Sequence, residues 1–165
     1  MIHPIILRSN RFLGNNLVNH EFITLEQLEK ANNILLDKID AENVKEASLL
    51  RILMWEQDTI NESDLIQFQV DKCEIGLVDL AFYSYLPNMN GSFSIEDCWC
   101  TWTVPFEVEN GFYFLASAYY LSKPVIEMWE ERLAGHVMWF ATDLGGISNL
   151  LENAEQDVNA AASNT

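Results

Sequence analysis

LGNNLVNHEFITLEQLEKA at residues 13–31 and LRILMWEQDTINESDLIQF at residues 50–68 are two copies of one pattern, offset by about 37 residues. Leu13 aligns with Leu50, Leu17 with Met54, Val18 with Trp55, Ile23 with Ile60, Thr24 with Asn61 and Leu28 with Leu65. In each copy the apolar positions recur at helical spacing, break at a polar turn, and resume behind a capping residue. Each copy therefore predicts a short amphipathic helix, a turn and a second helix. A lone hairpin has an apolar face that nothing covers. Two in tandem cover each other, so the N-terminal half is expected to be a pair of stacked helical hairpins with a shared core.

Local signals set the element ends. Residues 10–18 predict the first helix, with Leu13, Leu17 and Val18 on one face and Gly14 at a close backbone approach. Thr24 opens a capping box with Gln27, and Leu25, Leu28, Ala31, Leu35 and Ile39 carry the second helix to about Asp40. Residues 40–46 form an acidic, lysine-containing connector. Leu49, Leu50, Leu53 and Met54 begin the second copy. Asn61 caps a helix that sends Leu65, Phe68 and Val70 inward and ends by Cys73, ahead of Gly76.

The C-terminal half predicts strand, strand, helix, strand, helix. TWTVPFEV from Thr101 and FYFLASAYY from Phe112 flank Glu109-Asn110-Gly111, a hairpin turn in which Asn-Gly supplies positive backbone dihedrals. Ser122 caps a helix with Pro124 in its first turn, Gly135 stops it, HVMWFAT from His136 is a third strand, and Asp143 opens the last helix. Asp79 is expected as a cap or turn former, and residues 87–92, PNMNGS, as the least ordered loop. The expected fold is α+β: two helical hairpins over residues 1–74 packed on a small three-stranded sheet with helices over residues 75–152. Beyond that, residues 153–165 lack apolar anchors and are expected to fray.

Composition narrows function. With 165 residues and 49% hydrophobic content the chain can bury a proper core. A net charge of −16, from 25 acids against 9 bases, opposes nucleic-acid backbones and anionic membrane surfaces. No apolar run is long enough to insert in a membrane and no secretory leader is evident, so a cytoplasmic protein is expected. The positive pole lies at the start: the first 20 residues hold Arg8 and Arg11 and no acid. Cys98 and Cys100, in CWC, share one face if the segment is a strand, and are expected as reduced, partly buried thiols; His3, His20 and His136 have no metal-type spacing with them. No phosphate loop, GxSxG, HExxH or CxxC is present, so neither catalysis nor a cofactor or metal is expected. Large aromatic residues crowd the second half, where a small sheet with one helical layer cannot hide both faces; the second face is a candidate docking surface.

The pattern LGxxLVxxxxITxxQLExA resembles the N-terminal regulatory domain of the type II secretion and type IV pilus assembly ATPases, a module also appended to some membrane glycosyltransferases. The segment from Ile75 through Val78-Asp79-Leu80, and the stretch from Ala116 to Leu151, are similar to that family's second half. The resemblance implies a regulatory or docking role without ATPase activity, since the family's Walker motifs lie in a separate domain. It also implies a protein partner in a secretion, pilus or polysaccharide apparatus, such as the cytoplasmic part of an inner-membrane assembly protein.

Some members bind cyclic di-GMP through tandem copies of this motif. Here Leu13, Gly14, Leu17, Val18, Ile23 and Leu28 match the first copy. Phe12 stands at the motif's arginine, Glu21 at its turn glycine and Leu35 at its closing glutamine; Asp58 and Lys72 stand at the turn glycine and closing glutamine of the second copy. The alternative function is thus a cyclic di-GMP sensor using the first hairpin, with Arg8, Arg11, Leu13, Gly14, Leu17 and Val18 as candidate ligand-binding residues, and guanidinium forks serving the ligand's phosphates.

Overall fold

A computed structural model describes residues 4–87 and 91–163. The order of elements is α1 (Pro4–Asn19), α2 (Leu25–Asp40), α3 (Leu49–Arg51) running into a π-helical turn (Ile52–Glu56), and α4 (Glu62–Lys72). There follow β1 (Gly76–Leu77), a 3-10 turn (Leu80–Phe82), α5 (Ile95–Thr101), β2 (Thr103–Glu109), β3 (Phe112–Ser117), α6 (Lys123–Arg132), β4 (Val137–Ala141) and α7 (Leu144–Ser163). The fold is α+β, as the sequence predicts. Half of the loop expected to be least ordered, residues 87–92, lies outside the described residues, at 88–90.

The repeat is visible in the hairpins. Thr24 and Asn61 both cap, through Gln27 N and Asp64 N, and Gln27 returns its side chain to Thr24 N. Ile23 and Ile60, Leu28 and Leu65, and Leu13 and Leu50 are buried as pairs. At the turns, Glu21 (φ 61°) and Asp58 (φ 50°) both take left-handed backbone, the conformation that a glycine adopts most readily. The copies differ where Gly14 aligns with Arg51. A Cβ on Gly14 would sit 2.7 Å from Leu28 Cδ1 and 3.0 Å from Leu49 Cδ2, so glycine lets α1 pack closely against both hairpins. Arg51 is turned outward over the Trp55 ring, 5.2 Å from its centroid, and its helix loosens into the π turn closed by Gln57 N to Ile52 O.

Several expectations change. Helix α1 begins at Pro4, not residue 10, because Ile6 is buried and Ser9 and Asn10 both bond to the Ile6 carbonyl. On α4 the interior positions are Leu65, as expected, and Gln69, which donates to Leu65 O, whereas Phe68 and Val70 are half-buried; the Phe68 ring packs against His20 and edge-on to Phe22. The sheet has four strands in the order β1-β4-β3-β2, with β1 and β3 parallel to β4 and β2 antiparallel to β3. The extra strand, Gly76–Leu77, is too short to show any alternation. The expected hairpin is present, with Asn110 (φ 52°) and Gly111 (φ 82°) at its turn. Ser122 is not a side-chain cap, because its hydroxyl donates to Ser9 O on α1.

CWC is helical rather than extended. Ser94 and Asp97 form a capping box that opens α5, and the strand starts only at Thr103. Cys98 and Cys100 are buried, with burial pushing the Cys100 thiol up to about 12 and Cys98 well above its ordinary value. Only Cys73, which is half-buried, is expected to react with a chromogenic disulfide at pH ~8 in the native chain, with all three titrating in denaturant. Fast native reaction of Cys98 would refute this packing.

Beyond Glu152, where fraying is expected, α7 runs on to Ser163. Ala154 is buried, and Glu155 accepts from Trp99 Nε1 at 2.8 Å and from Lys45 Nζ at 2.7 Å. One hydrophobic cluster takes residues from both halves, Leu13, Leu50 and Leu53 together with Trp102, Val125, Trp129 and Leu151. No helix among the described residues is long and apolar enough to cross a membrane.

Candidate functional site

The early start of α1 creates a groove. Extending the helix to Pro4 places Leu7, Arg8, Arg11 and Asn15 along one side of α1, opposite Leu28, Asn32, Leu35 and Leu36 of α2. The cavity between the two helices is about 540 Å³, within the usual range for small-ligand sites. Its walls are mostly apolar, and both of its charged lining residues are arginines. In a chain of net charge −16 this is a local inversion of sign.

The two guanidinium groups share one edge of the groove. Arg8 and Arg11 lie one helical turn apart, at 6.0 and 5.7 Å from the centroid of the Phe12 ring. Arg8 also meets Glu127 of α6 at 3.8 Å, an exposed contact of little energetic weight. Behind the groove, Asn10 is fully engaged: its Nδ2 donates to Ile6 O, and its Oδ1 accepts from Leu49 N at 2.9 Å and from the Tyr119 hydroxyl at 2.6 Å. Burial raises the Tyr119 phenol well above its ordinary value, so it remains a neutral donor. This network fixes the back of α1, leaving its arginines on the open side.

The six residues singled out from sequence fall into two groups. Arg8 and Arg11 line the groove. Leu13, Gly14 and Leu17 are buried in the core, and Val18 is half-buried against it. Leu7, Asn15, Asn32 and Leu36 also line the groove and were not read from the sequence. Their signal would have been an apolar stripe on α1 extending N-terminal to residue 10, set beside Asn32 and Leu36 on α2. An apolar trough with a paired guanidinium edge and two carboxamides suits an anion that also carries flat or apolar surface.

Other cations of the N-terminal half are taken up in ion pairs between α2 and the start of the second copy. Lys38 bonds Glu46 at 2.8 Å and Glu56 at 3.4 Å, and Arg51 approaches Glu46 at 3.9 Å and donates to Lys45 O. The Glu46 bond raises the Lys38 ammonium, and Lys38 in turn lowers the Glu46 carboxyl. Among the described residues no group of three or more His, Cys, Asp or Glu is placed to hold a metal ion.

Two solved structures share this architecture. The N-terminal domain of XpsE, a type II secretion ATPase, matches with a TM-score of 0.56 and 13% identity, over 84% of this chain and 90% of that one. MshE, a type IV pilus ATPase whose structure was solved with cdg, matches with a TM-score of 0.50 and 13% identity, over 86% of this chain and 96% of the other. No protein-family model and no curated protein matches the chain. At that identity the likeness is one of fold.

Proposed function

We propose that this chain is a non-enzymatic regulatory and docking module of a secretion, pilus or polysaccharide apparatus. Its partner on this reading is the cytoplasmic part of an inner-membrane assembly protein. The observation that carries the reading is the fold: most of the chain has the architecture of a secretion-ATPase N-terminal domain. Titration of the full chain with that cytoplasmic region, followed by sedimentation velocity, is expected to give a stoichiometric complex with a Kd of about 10 µM or tighter. Absence of a complex at about 100 µM of each protein would sink the reading.

A second reading is favoured by one feature of the groove. Arg8 and Arg11 stand side by side at the edge of an apolar trough with Asn15 and Asn32, an arrangement able to meet phosphates and base edges together. MshE was solved with cdg, and on this reading the present chain senses the same cyclic dinucleotide at a displaced position, Phe12 having replaced the motif arginine. Calorimetry with cyclic di-GMP is expected to show a Kd of about 1–10 µM, weakened at least tenfold by Arg11→Ala and by added salt. No heat at about 1 mM ligand rejects the sensor and leaves the docking reading intact.

A further inference from the structure

The sheet has a face that the fold leaves partly open. Register places Phe112 and Phe114 of β3 beside Glu109 and Glu107 of β2, and Phe114 beside Met138 of β4. Residues paired in register point to the same side of a sheet, as do residues two apart on one strand. Phe112, Phe114, Met138, Phe140, Glu107 and Glu109 therefore share a face.

The bulge at Pro105/Glu107 adds Phe106 to the same side, where it packs at 5.4 Å from Phe140 and 6.3 Å from Phe114. Tyr83 closes one border at 4.8 Å from Phe106. Phe106 is buried at the centre, but Phe112 is 42% exposed, Met138 47% and Tyr83 40%. On the opposite face Trp139 donates to Glu130 of α6 and packs against the Tyr120 ring.

The charges on this face have one sign. Glu107 and Glu109 are exposed along the β2 border, and no lysine or arginine occurs between residues 73 and 122 or after residue 132. The cations of α6 are paired with acids, Arg132 with Asp97 and Lys123 with Glu127. The exposed apolar strip lies on β3 and β4, and two strands at about 4.8 Å each occupy roughly 10 Å, close to the diameter of a single helix laid over them.

Resting on the docking reading above, we infer that this face is the docking surface and that its occupant is a basic amphipathic helix of the partner protein. The apolar side of that helix covers Phe112, Phe114, Met138 and Phe140, and its Lys or Arg side chains meet Glu107 and Glu109. Aromatic rings beside carboxylates favour such cations twice, through ring faces and through charge.

The test uses two helical peptides with the same leucine face, one with an all-lysine/arginine polar face and one with an all-glutamate polar face. Each is titrated by fluorescence anisotropy against the full chain. The basic peptide is expected to bind at least tenfold more tightly than its acidic twin. Glu107→Gln with Glu109→Gln should weaken it about tenfold, Met138→Asp should remove binding, and Glu26→Gln with Glu29→Gln on α2 should leave it unchanged. Equal effects of the two glutamate pairs would mean attraction to overall charge alone and would overturn the proposal, as would equal binding of both peptides. Self-association of the chain that Met138→Asp abolishes would assign the face to a second copy and overturn it too. If the assembly protein binds and Met138→Asp leaves that complex intact, the surface is wrong and the docking reading stands. If the basic peptide binds here while the assembly protein does not, the surface stands and the docking reading fails.

Discussion

Asn10→Ala is expected to cost about 3 kcal/mol of folding stability, more than most polar substitutions, because it removes hydrogen bonds to three segments at once and strands the buried Leu49 amide. Asn10 is 2% exposed, accepts from Leu49 N at the start of α3 and from the Tyr119 hydroxyl behind β3, and donates to Ile6 O in its own helix. Alanine leaves the Leu49 amide buried without a partner, at about 1–3 kcal/mol, and removes one of the hydrogen bonds held by the phenol. Tyr119→Phe leaves Asn10 Oδ1 bonded to Leu49 N and Ser48 Oγ bonded to Arg51 N, so it should cost less, about 1–2 kcal/mol. Urea unfolding of the two single variants and the double variant gives a coupling energy, expected to exceed about 0.5 kcal/mol. A cost for Asn10→Ala below about 1 kcal/mol, with no coupling, would show that this network adds little to the joining of the two halves. Since this network seats the back of α1, the same variant should also loosen the groove and weaken any ligand that Arg8 and Arg11 hold.

Trp102 gives the second large effect, and one with an unusual order. Its backbone is left-handed (φ 44°, ψ 49°), rare for a bulky residue, and it closes α5 where the chain turns into β2. The ring holds it there: Trp102 is 1% exposed and packs edge-on against Trp99 at 5.5 Å and Trp55 at 6.0 Å. Trp102→Ala should destabilise by about 3–5 kcal/mol through the cavity it leaves. Trp102→Gly removes even more side chain, yet glycine adopts left-handed backbone without the roughly 1–2 kcal/mol that alanine meets there. Part of that gain is offset by glycine's greater freedom in the unfolded chain, so the glycine variant should be more stable than the alanine variant by up to about 1 kcal/mol. Thermal and chemical unfolding of the pair decides this. A more stable alanine variant would mean that the turn relaxes once the indole is gone.

These two residues also mark what one-dimensional reading misses. Asn10 sits at the expected first position of the first helix, and its side chain gives no hint of reaching Tyr119, which follows it by more than a hundred residues. Trp102 lies in an apolar, β-prone run that reads as a strand from Thr101. What bends the chain there is the Ser94–Asp97 capping box upstream and a pocket between Trp99 of the same helix and Trp55, which a distant element supplies. The candidate site shows the same division. Arg8 and Arg11 stand out in the sequence as an isolated positive pole, but the groove exists only because α2 lies across from them.

The sequence by itself determined the elements whose signals are local. Helical periodicity and side-chain caps act within one or two turns, so Thr24 with Gln27, Asn61, Asp79 at the 3-10 turn and Asn110-Gly111 at the hairpin were legible, and the repeat made the two hairpins legible together. Tertiary structure alone decided the rest. Strand β1 exists because β4 offers it hydrogen bonds and Gly76 leaves room for Phe140, whose ring would lie 2.6 Å from any added Cβ. Helix α7 continues because Trp99 and Lys45 hold Glu155. The partly open aromatic face follows from which strand registers against which. Each of these outcomes depends on contacts between residues far apart in the chain, and a local pattern carries no record of such contacts.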